Sequence, residues 1–528
     1  MIQVLSYSGS IRNWKELVQE LGIPMDGAMA PDEITTFDEK KFLSAHPARE
    51  ALILSHAFEK WGTDMGNHIL GSFAFVLYDT EKNQLFACRD QFGTKPVYYY
   101  QTADGRLLTG LALSEIMAQD GFEKALNEDM LQLYLGFTYA PGEETFYKGI
   151  KKLLPGRYLI WKDGRLQTGR YYQPRFDFDE EKSLEDWADE IHTAVKTIIP
   201  QVKEPDEYAE SFLSGGVDSS YLVAASDVPM TASAGYADSH FDESGLSKEV
   251  ADYLGRGNRR CEVGPEQYFE MIPTVMRYLE QPLGDASTIV LAIACQKQAE
   301  HTKLCYSGEG ADEFFGGYNI YKRASVYGDN LKTFYVGNTN IMKEDEKQLL
   351  LKSYNPEKLP IRQAEALYEE LEGLDPLTKM MAVDIAIWLD GDIYFAIEKL
   401  SRATGLEIRM PFTDMRLFDV ALHMPPRFKV DGEKDKVAFR HAASRVLPEE
   451  VAFRKKMGFP VPIRLWLAQE PFISDVRRRF AGTAAQKYFN TDAIGRLLDQ
   501  YTGGEDTLWR KVWTIYTFLV WYEEVFEQ

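Results

Sequence analysis

The chain has 528 residues, 45% hydrophobic and 27% charged, with a formal net charge of −22. That length is too great for one ordinary core and predicts about two to four domains, and the composition is that of a soluble globular protein. The acidity excludes broad binding to nucleic acid or to anionic membranes, which Coulomb repulsion would oppose.

Met1-Ile2-Gln3-Val4 lacks the basic-then-apolar order of a secretory signal, and no run approaches the length of a membrane span, so a cytoplasmic location is expected. β-rich runs occupy Ile2 to Tyr7, Ser72 to Tyr78, Gln84 to Ala87 and Val97 to Gln101, with further strands at Arg157 to Trp161 and Gly169 to Tyr172. Asp104-Gly105 and Asp163-Gly164 are turn signals, and Trp14 to Leu21 and Ala48 to Trp61 have helical spacing of apolar residues. These elements predict an α+β, mostly antiparallel first domain. At Phe176-Asp177-Phe178-Asp179-Glu180-Glu181-Lys182 the chain turns acidic and the β pattern stops, which divides it into domains of 1–180 and 181–528.

Beyond the boundary, Leu184 to Ile199 has helical spacing and Pro200 to Glu207 is a polar connector. Strands and helices then alternate: a strand into Leu213, a strand at Thr231 to Tyr236, a helix around Lys248 to Leu254, a strand at Lys303 to Tyr306. Such alternation predicts an α/β fold with a parallel sheet, whose ligands gather at the carboxyl ends of the strands. From Lys332 onward the chain reads as largely helical, closing on an aromatic helix at Leu508 to Phe526 whose stripe is expected to be core.

Chemistry concentrates in Phe212-Leu213-Ser214-Gly215-Gly216-Val217-Asp218-Ser219-Ser220, a strand, a tight turn and a helix start. Glycines let the backbone N–H groups approach an anion, and the helix start adds unpaired N–H groups and a positive dipole end. Ser214, Ser219 and Ser220 add hydroxyl donors. Asp218 would repel a bare phosphate, so it predicts a divalent cation between them. No Gly-Lys-Ser or Gly-Lys-Thr closes the loop, so it is not of the Walker type; it resembles the PP-loop of ATP pyrophosphatases. A second glycine-rich stretch, Tyr306-Ser307-Gly308-Glu309-Gly310-Ala311-Asp312-Glu313-Phe314-Phe315-Gly316-Gly317-Tyr318, also follows a strand and offers Asp312 as a second oxygen ligand. The run Arg454-Lys455-Lys456 precedes a turn-forming Gly-Phe-Pro-Val-Pro tail and is a candidate for neutralising charge on departing pyrophosphate. Arg409, in a mostly apolar run, needs Glu407, Asp414 or an anionic ligand as partner. Lys436 and Arg440, four apart, form either a further phosphate contact or a salt-bridged surface pair. The cysteines Cys88, Cys261, Cys295 and Cys305 are scattered without a C-x-x-C, which excludes a disulfide framework and a cysteine zinc site.

The order S-G-G-V-D-S-S, S-G-E-G-A-D-E-F-F-G-G-Y, L-E-I-R-M-P-F, K-V-A-F-R and R-K-K-M-G-F-P-V-P resembles the synthetase half of asparagine synthetase B. G-S-F-A-F-V-L-Y-D, R-D-Q-F-G-T-K-P-V-Y-Y and L-P-G-R-Y are similar to stretches of its glutaminase half. The resemblance covers nearly the whole chain. It implies a truncated Ntn-hydrolase-like domain followed by an adenine-nucleotide-hydrolase-like α/β domain with a helical C-terminal part. The implied reaction uses ATP and Mg²⁺ to activate a small carboxylate as its acyl-adenylate, which ammonia or a small amine converts to an amide. By position, Ser214, Gly215, Gly216, Asp218, Ser219 and Ser220 would bind pyrophosphate, and Asp218 and Asp312 would ligate Mg²⁺. Leu213, Ala234, Ser307 and Gly308 would line the base and ribose. Glu309 would take a proton from the amine, Lys456 would stabilise the adenylation transition state, and Arg409 would bind an anionic group.

Departures from the family pattern imply more. Its glutaminase halves carry a cysteine directly after the initiator methionine, where this chain has Ile2. The chain is expected to begin at the glutamine-binding turn, written here as Ser8-Gly9-Ser10-Ile11-Arg12-Asn13, and the acidic glutamine contact aligns near Ala48. The first domain is therefore expected to be glutaminase-deficient, its missing strands exposing a sheet edge that a homodimer or partner covers. Relatives without glutaminase include β-lactam synthetase, carbapenam synthetase and lasso-peptide cyclase, which makes a specialised-metabolite synthetase the alternative reading. Glu309 weighs against β-lactam closure, because β-lactam and carbapenam synthetases have a tyrosine there. Lys399 to Gly405 is shorter than the family segment bordering the acyl pocket, which argues against aspartate. An RNA-modifying PP-loop enzyme would need a basic groove, and a non-catalytic relative would not retain Asp218 and Asp312.

Overall fold

Alternation at period two organises the first part of the chain. The computed structural model describes residues 1–24, 35–37, 41–236, 241–328, 331, 335–456, 458 and 461–528, and the chain divides into two units. The first comprises residues 1–127 and 142–176. Its larger sheet joins β1 (Ile2–Ile11), β2 (Thr35–Phe37), β3 (Phe42–Leu43), β4 (Gly71–Asp79), β5 (Gln84–Arg89), β9 (Arg157–Lys162) and β10 (Arg165–Arg170) in the order β10-β9-β5-β4-β1-β2, with β3 also beside β1. A smaller sheet has the order β7-β6-β8, from β6 (Tyr98–Gln101), β7 (Leu107–Gly110) and β8 (Lys151–Lys152). Along β4, Phe73, Phe75 and Leu77 pack with helices Trp14–Leu21 and Pro47–Trp61. Ala74 and Val76, on the opposite face, pack with Val97, Tyr99, Leu111 and Leu153 around the smaller sheet. Successive strand residues face opposite ways, so one sheet serves two cores.

β1 pairs parallel with β2 and β3 and antiparallel with β4, and the β4–β5, β5–β9 and β9–β10 pairings are antiparallel too. The strand that opens the chain is thus flanked on both sides. Ser8 to Ile11, expected in a turn, lie within β1. β10 begins at Arg165 rather than Gly169, because Asp163 (φ 50°) and Gly164 (φ 72°) form a tight turn that pairs Lys162 with Arg165.

The second unit comprises residues 128–141 and 177–528. Residues 128–141 leave the first unit, a discontinuity that no composition shift announces; there the Tyr134 hydroxyl meets Thr517 Oγ1 at 2.7 Å. Ser183 caps helix Leu184–Ile198 by a reciprocal capping box with Asp186. β11 (Glu210–Phe212), β12 (Met230–Gly235), β13 (Gly257–Glu262), β14 (Leu304–Tyr306) and β15 (Glu407–Arg409) form a wholly parallel sheet in the order β13-β12-β11-β14-β15. Helices Val217–Ala225, Ser244–Tyr253, Pro265–Leu279 and Ser287–Ala299 lie in the crossovers between strands, as parallel pairing requires. β11 and β14 are central neighbours, so the loops after them, more than ninety residues apart in sequence, emerge side by side. In helix Trp509–Trp521, Trp513, Phe518 and Trp521 are fully buried, so its aromatic stripe is core. Among the described residues no helix is long and apolar enough to cross a membrane.

β13 reads Gly-Asn-Arg-Arg-Cys-Glu and carries no β-rich pattern. Its register with β12 is reinforced by a charge instead: Arg259 Nη2 donates to Glu210 Oε1 at 2.8 Å, and Gln298 donates to the same carboxylate, which is fully buried in the strand entering the first glycine loop. Arg259→Ala would leave that carboxylate with neutral donors only, Gln298 and Tyr208. Since the arginine keeps some contact with solvent, the expected loss is about 2–3 kcal/mol, checked by urea unfolding against Arg259→Lys.

Candidate active site

The loop between β11 and helix Val217–Ala225 is shaped by the backbone. Gly215 has φ +81° and sits where a Cβ would lie 2.8 Å from the carbonyl carbon of Leu246, so both conformation and space require glycine. Leu213 N–H donates to Ala232 O at 2.8 Å, extending the ladder into the turn. Ser219 Oγ accepts from Ser214 N–H at 3.0 Å, and the two hydroxyls lie 2.9 Å apart. Gly216 is the N-cap, open to solvent, while Ser220 is fully buried in the helix's first turn. A ring of N–H and O–H donors therefore surrounds the start of a nine-residue helix, the arrangement that receives anions.

The second loop is pressed against the first. A Cβ on Gly308 would lie 3.2 Å from Ser219 N and 3.3 Å from Asp218 C. Ser307 N–H donates to Arg409 O at 3.0 Å, holding the loop to β15, and Ser307 Oγ donates to Glu309 Oε1 at 3.2 Å. Thr413 Oγ1 donates to the carbonyl oxygen of Glu309 at 3.3 Å and lies 2.9 Å from the Tyr394 hydroxyl. Gly310 takes φ +98°, after which the short helix Ala311–Phe315 presents Asp312 and Glu313.

Four charges meet where the loops converge. Lys436 Nζ lies 2.5 Å from Asp218 Oδ1 and 2.6 Å from Asp312 Oδ1, and Lys456 Nζ lies 2.6 Å from Asp312 Oδ2. Gly317 is the opening through which this occurs: a Cβ there would fall 1.7 Å from Asp312 Oδ1 and 2.3 Å from Lys436 Cε. Burial pushes the Asp312 carboxyl upward, but the two ammonium groups outweigh it and hold the group well below the usual carboxylate range. Asp218, with Lys436 but with Asp312 beside it, stays above its ordinary value because burial dominates. Glu309 is likewise raised, by burial and then by Asp312. Glu313 is pushed up to about 8 by the same two causes.

Sequence reasoning singled out Leu213, Ser214, Gly215, Gly216, Asp218, Ser219, Ser220, Ser307, Gly308, Glu309, Asp312 and Lys456, which lie on the two loops or reach them. Ala234 lies in β12, next to β11, with its backbone near the strand's carboxyl end. Arg409 is engaged elsewhere: its guanidinium pairs with Glu407 Oε1 at 2.7 Å and Glu207 Oε2 at 3.0 Å, and donates to Val202 O. Glu407 was an anticipated partner; Glu207 and Val202 come from the connector before β11. Of the basic run, Arg454 Nη1 donates to Gly215 O at 2.8 Å, so it braces the first loop; Met457, Phe459 and Pro460 of the following turn lie outside the described residues. Arg440 is neither a phosphate contact nor a surface group. Buried against Asp435, it donates to the carbonyls of Ala452 and Arg454 at 2.9 and 2.8 Å, tying the basic segment to the helix that Lys436 begins. Lys399, in the divergent segment, is buried and paired with Glu280. The residue least visible beforehand is Lys436, since its four-residue spacing from Arg440 also describes an ordinary surface pair.

A mononucleotide-type α/β sheet with two glycine loops over two aspartates defines a nucleotide-using enzyme class. The asparagine synthase family profile matches residues 201–523, and a glutamine amidotransferase domain profile matches residues 2–172. Asparagine synthetase [glutamine-hydrolyzing] 1 of Bacillus subtilis is 30% identical over 558 aligned positions, covering 98% of this chain and 84% of that protein. A putative asparagine synthetase [glutamine-hydrolyzing] of Mycobacterium tuberculosis is 27% identical with the same coverage. A fungal amidase, chry2 of Gibberella zeae, is 27% identical over 55% of this chain and 46% of its own length. The chain belongs to the asparagine synthetase family, whose members are ATP-dependent ligases that form carbon–nitrogen bonds.

Gly317→Ala isolates the opening between Asp312 and Lys436. The expected result is at least a hundredfold loss of ATP-dependent ligase turnover, about the cost of losing one preorganised charge contact, with an unchanged far-ultraviolet circular dichroism spectrum.

Proposed function

We propose that the chain adenylates a small carboxylate with Mg-ATP and transfers the acyl group to ammonia or a small amine, without relying on glutamine hydrolysis by its first unit. The observation that carries this reading is the convergence of Asp218, Asp312, Lys436 and Lys456 beneath the two glycine loops. A nucleotide fits the donor ring around Gly216 and the dipole of the nine-residue helix behind it. A divalent cation fits the donor chemistry of the two aspartates, which already face one cationic centre at 2.5 and 2.6 Å. Among the described residues no cluster of three or more His, Cys, Asp or Glu side chains could hold a metal alone, so phosphate oxygens would complete its shell. When bound, the ion supplies charge neutralisation on the departing pyrophosphate.

In the first step a carboxylate oxygen attacks the α-phosphorus and the bond to the β-phosphate oxygen breaks. Lys456 and Lys436 supply positive charge beside that leaving group. In the second step the amine nitrogen attacks the acyl carbon and AMP leaves with its bonding electron pair. Glu309, made more basic by burial and by Asp312, receives the proton the amine must shed. Thr413 holds the Glu309 backbone in place from behind.

Independence from glutamine rests on thiol chemistry. The cysteine of the first unit, Cys88, lies fully buried in β5, and burial pushes its thiol far above its ordinary value, away from the nucleophilic thiolate. Near Ala48, the position two residues on is Glu50, a buried carboxylate of the same helix. The proposal therefore stands on the thiol and not on that contact.

Pyrophosphate and AMP formation with panels of acids and amines tests the reading; ATP left intact by every pair would defeat it. Lys456→Met is expected to lower turnover about 10²–10³-fold and Glu309→Gln about 10²–10⁴-fold, the latter without loss of ATP binding by calorimetry. Because the ionised Glu309 accepts the proton, turnover should rise with pH along a limb displaced above the ordinary carboxylate range, and Glu309→Gln should abolish that limb. Ammonium chloride should support amide formation, while glutamate release from glutamine stays at the level of buffer; glutamate release matching amide formation would overturn the glutamine part alone.

A further inference from the structure

Lys456 lies outside any helix or strand, two residues beyond the carbonyl that Arg440 holds. Lys436 starts a helix and its side chain is 1% exposed, whereas Lys456 lies in an irregular segment with its side chain 25% exposed. A lysine on a four-carbon stem in such a segment has many positions available, and the pair with Asp312 fixes only its tip. What lies along its flank is Tyr318, the last residue of the second glycine stretch. The ammonium of Lys456 is 5.3 Å from the centre of the Tyr318 ring.

The ring itself is locked. Its hydroxyl donates to Glu313 Oε1 at 2.6 Å, and Trp388 and Tyr321 pack on it with ring centres 4.9 and 5.5 Å away. We propose that Tyr318 is the positioning residue for Lys456, its fixed ring face aiming the ammonium at the point where Asp312 and the leaving phosphates meet. This rests on the reading of Lys456 as the phosphate-facing cation.

The physical reason for an aromatic face, and not a second carboxylate, lies in donor counting. An ammonium has three N–H donors and no acceptor. Attraction to the negative face of a ring consumes none of them directionally. Asp312 takes one, and the others stay available to an anion arriving from the first loop. A carboxylate in the place of Tyr318 would hold the lysine more tightly but would add negative charge beside Asp218, Asp312 and Glu309. The tyrosine hydroxyl points away from Lys456 in function: it spends its proton on Glu313, and so keeps the ring from turning its edge, which is electropositive, toward the ammonium.

The test is a mutant cycle on the full chain. Pyrophosphate-release kinetics, calorimetric binding of magnesium pyrophosphate and melting temperature would be measured for wild type, Y318L, Y318F, K456M and the Y318L/K456M double variant. Y318L is expected to lower kcat about tenfold, the rate equivalent of one desolvated cation–π contact, with the KM for ATP nearly unchanged. It should also weaken pyrophosphate binding. Y318F, which keeps the ring, should recover most of both losses. In the K456M background Y318L should cost little more, since the route through Lys456 has been removed. An equal penalty from Y318L with and without Lys456, or a fall in melting temperature with kcat and pyrophosphate binding intact, would overturn the inference. Wild-type protein that binds pyrophosphate but turns over no acid would overturn the ligase reading while the binding cycle still decides the role of Tyr318. Wild-type protein that binds no pyrophosphate would overturn both.

Discussion

An ionised aspartate in a buried place is the constraint on which the second unit's working end depends. Asp312 is only tolerable there because Lys436 and Lys456 lie 2.6 Å from its two oxygens; burial without them would protonate it. Each partner has its own support. Lys436 arrives at a helix start through the gap left by Gly317. The backbone near Lys456 is held by Arg440, which grips the Arg454 carbonyl, and Arg454 in turn grips the carbonyl of Gly215. Three carboxyl groups, those of Asp218, Asp312 and Glu309, crowd the two lysines, and burial together with Asp312 holds Asp218 and Glu309 above their ordinary values.

Sheet order converts this cluster into a site. β11 and β14 are adjacent and parallel, so both glycine loops leave the same end of the sheet and touch, with Gly308 against Asp218 and Ser219. β15 adds the carbonyl of Arg409 as a tether for Ser307, while the Arg409 side chain is committed to Glu207 and Glu407. An arginine so engaged stiffens the sheet and the connector before β11. A substrate anion would compete with Glu207 and Glu407 for that guanidinium.

The first unit follows a different logic. Its large sheet buries both faces, one under helices and one on a second small sheet, and its thiol is part of that packing. The family's amidotransferase profile spans nearly all of it, so the architecture is retained whatever its chemistry.

Much of this was legible from the residues alone. Glycine spacing after short strands located both loops, because close backbone approach has few solutions other than glycine, and the aspartates beside them set the expectation of a cation. β-rich composition located β4 and β5. What only the tertiary structure decided are the features with no local signature. β13, rich in arginine, becomes a strand through pairing with β12 and through Glu210, which lies on another strand. Residues 128–141 join the second unit by a hydrogen bond to Thr517, hundreds of positions away. Lys436 and Arg440 share one spacing and separate into a site cation and a structural clamp only once Asp218, Asp312 and the Arg454 carbonyl are brought beside them. Sequence determines chemistry that the backbone needs locally; the partner of a charge is a matter of three-dimensional proximity, which spacing along the chain does not encode.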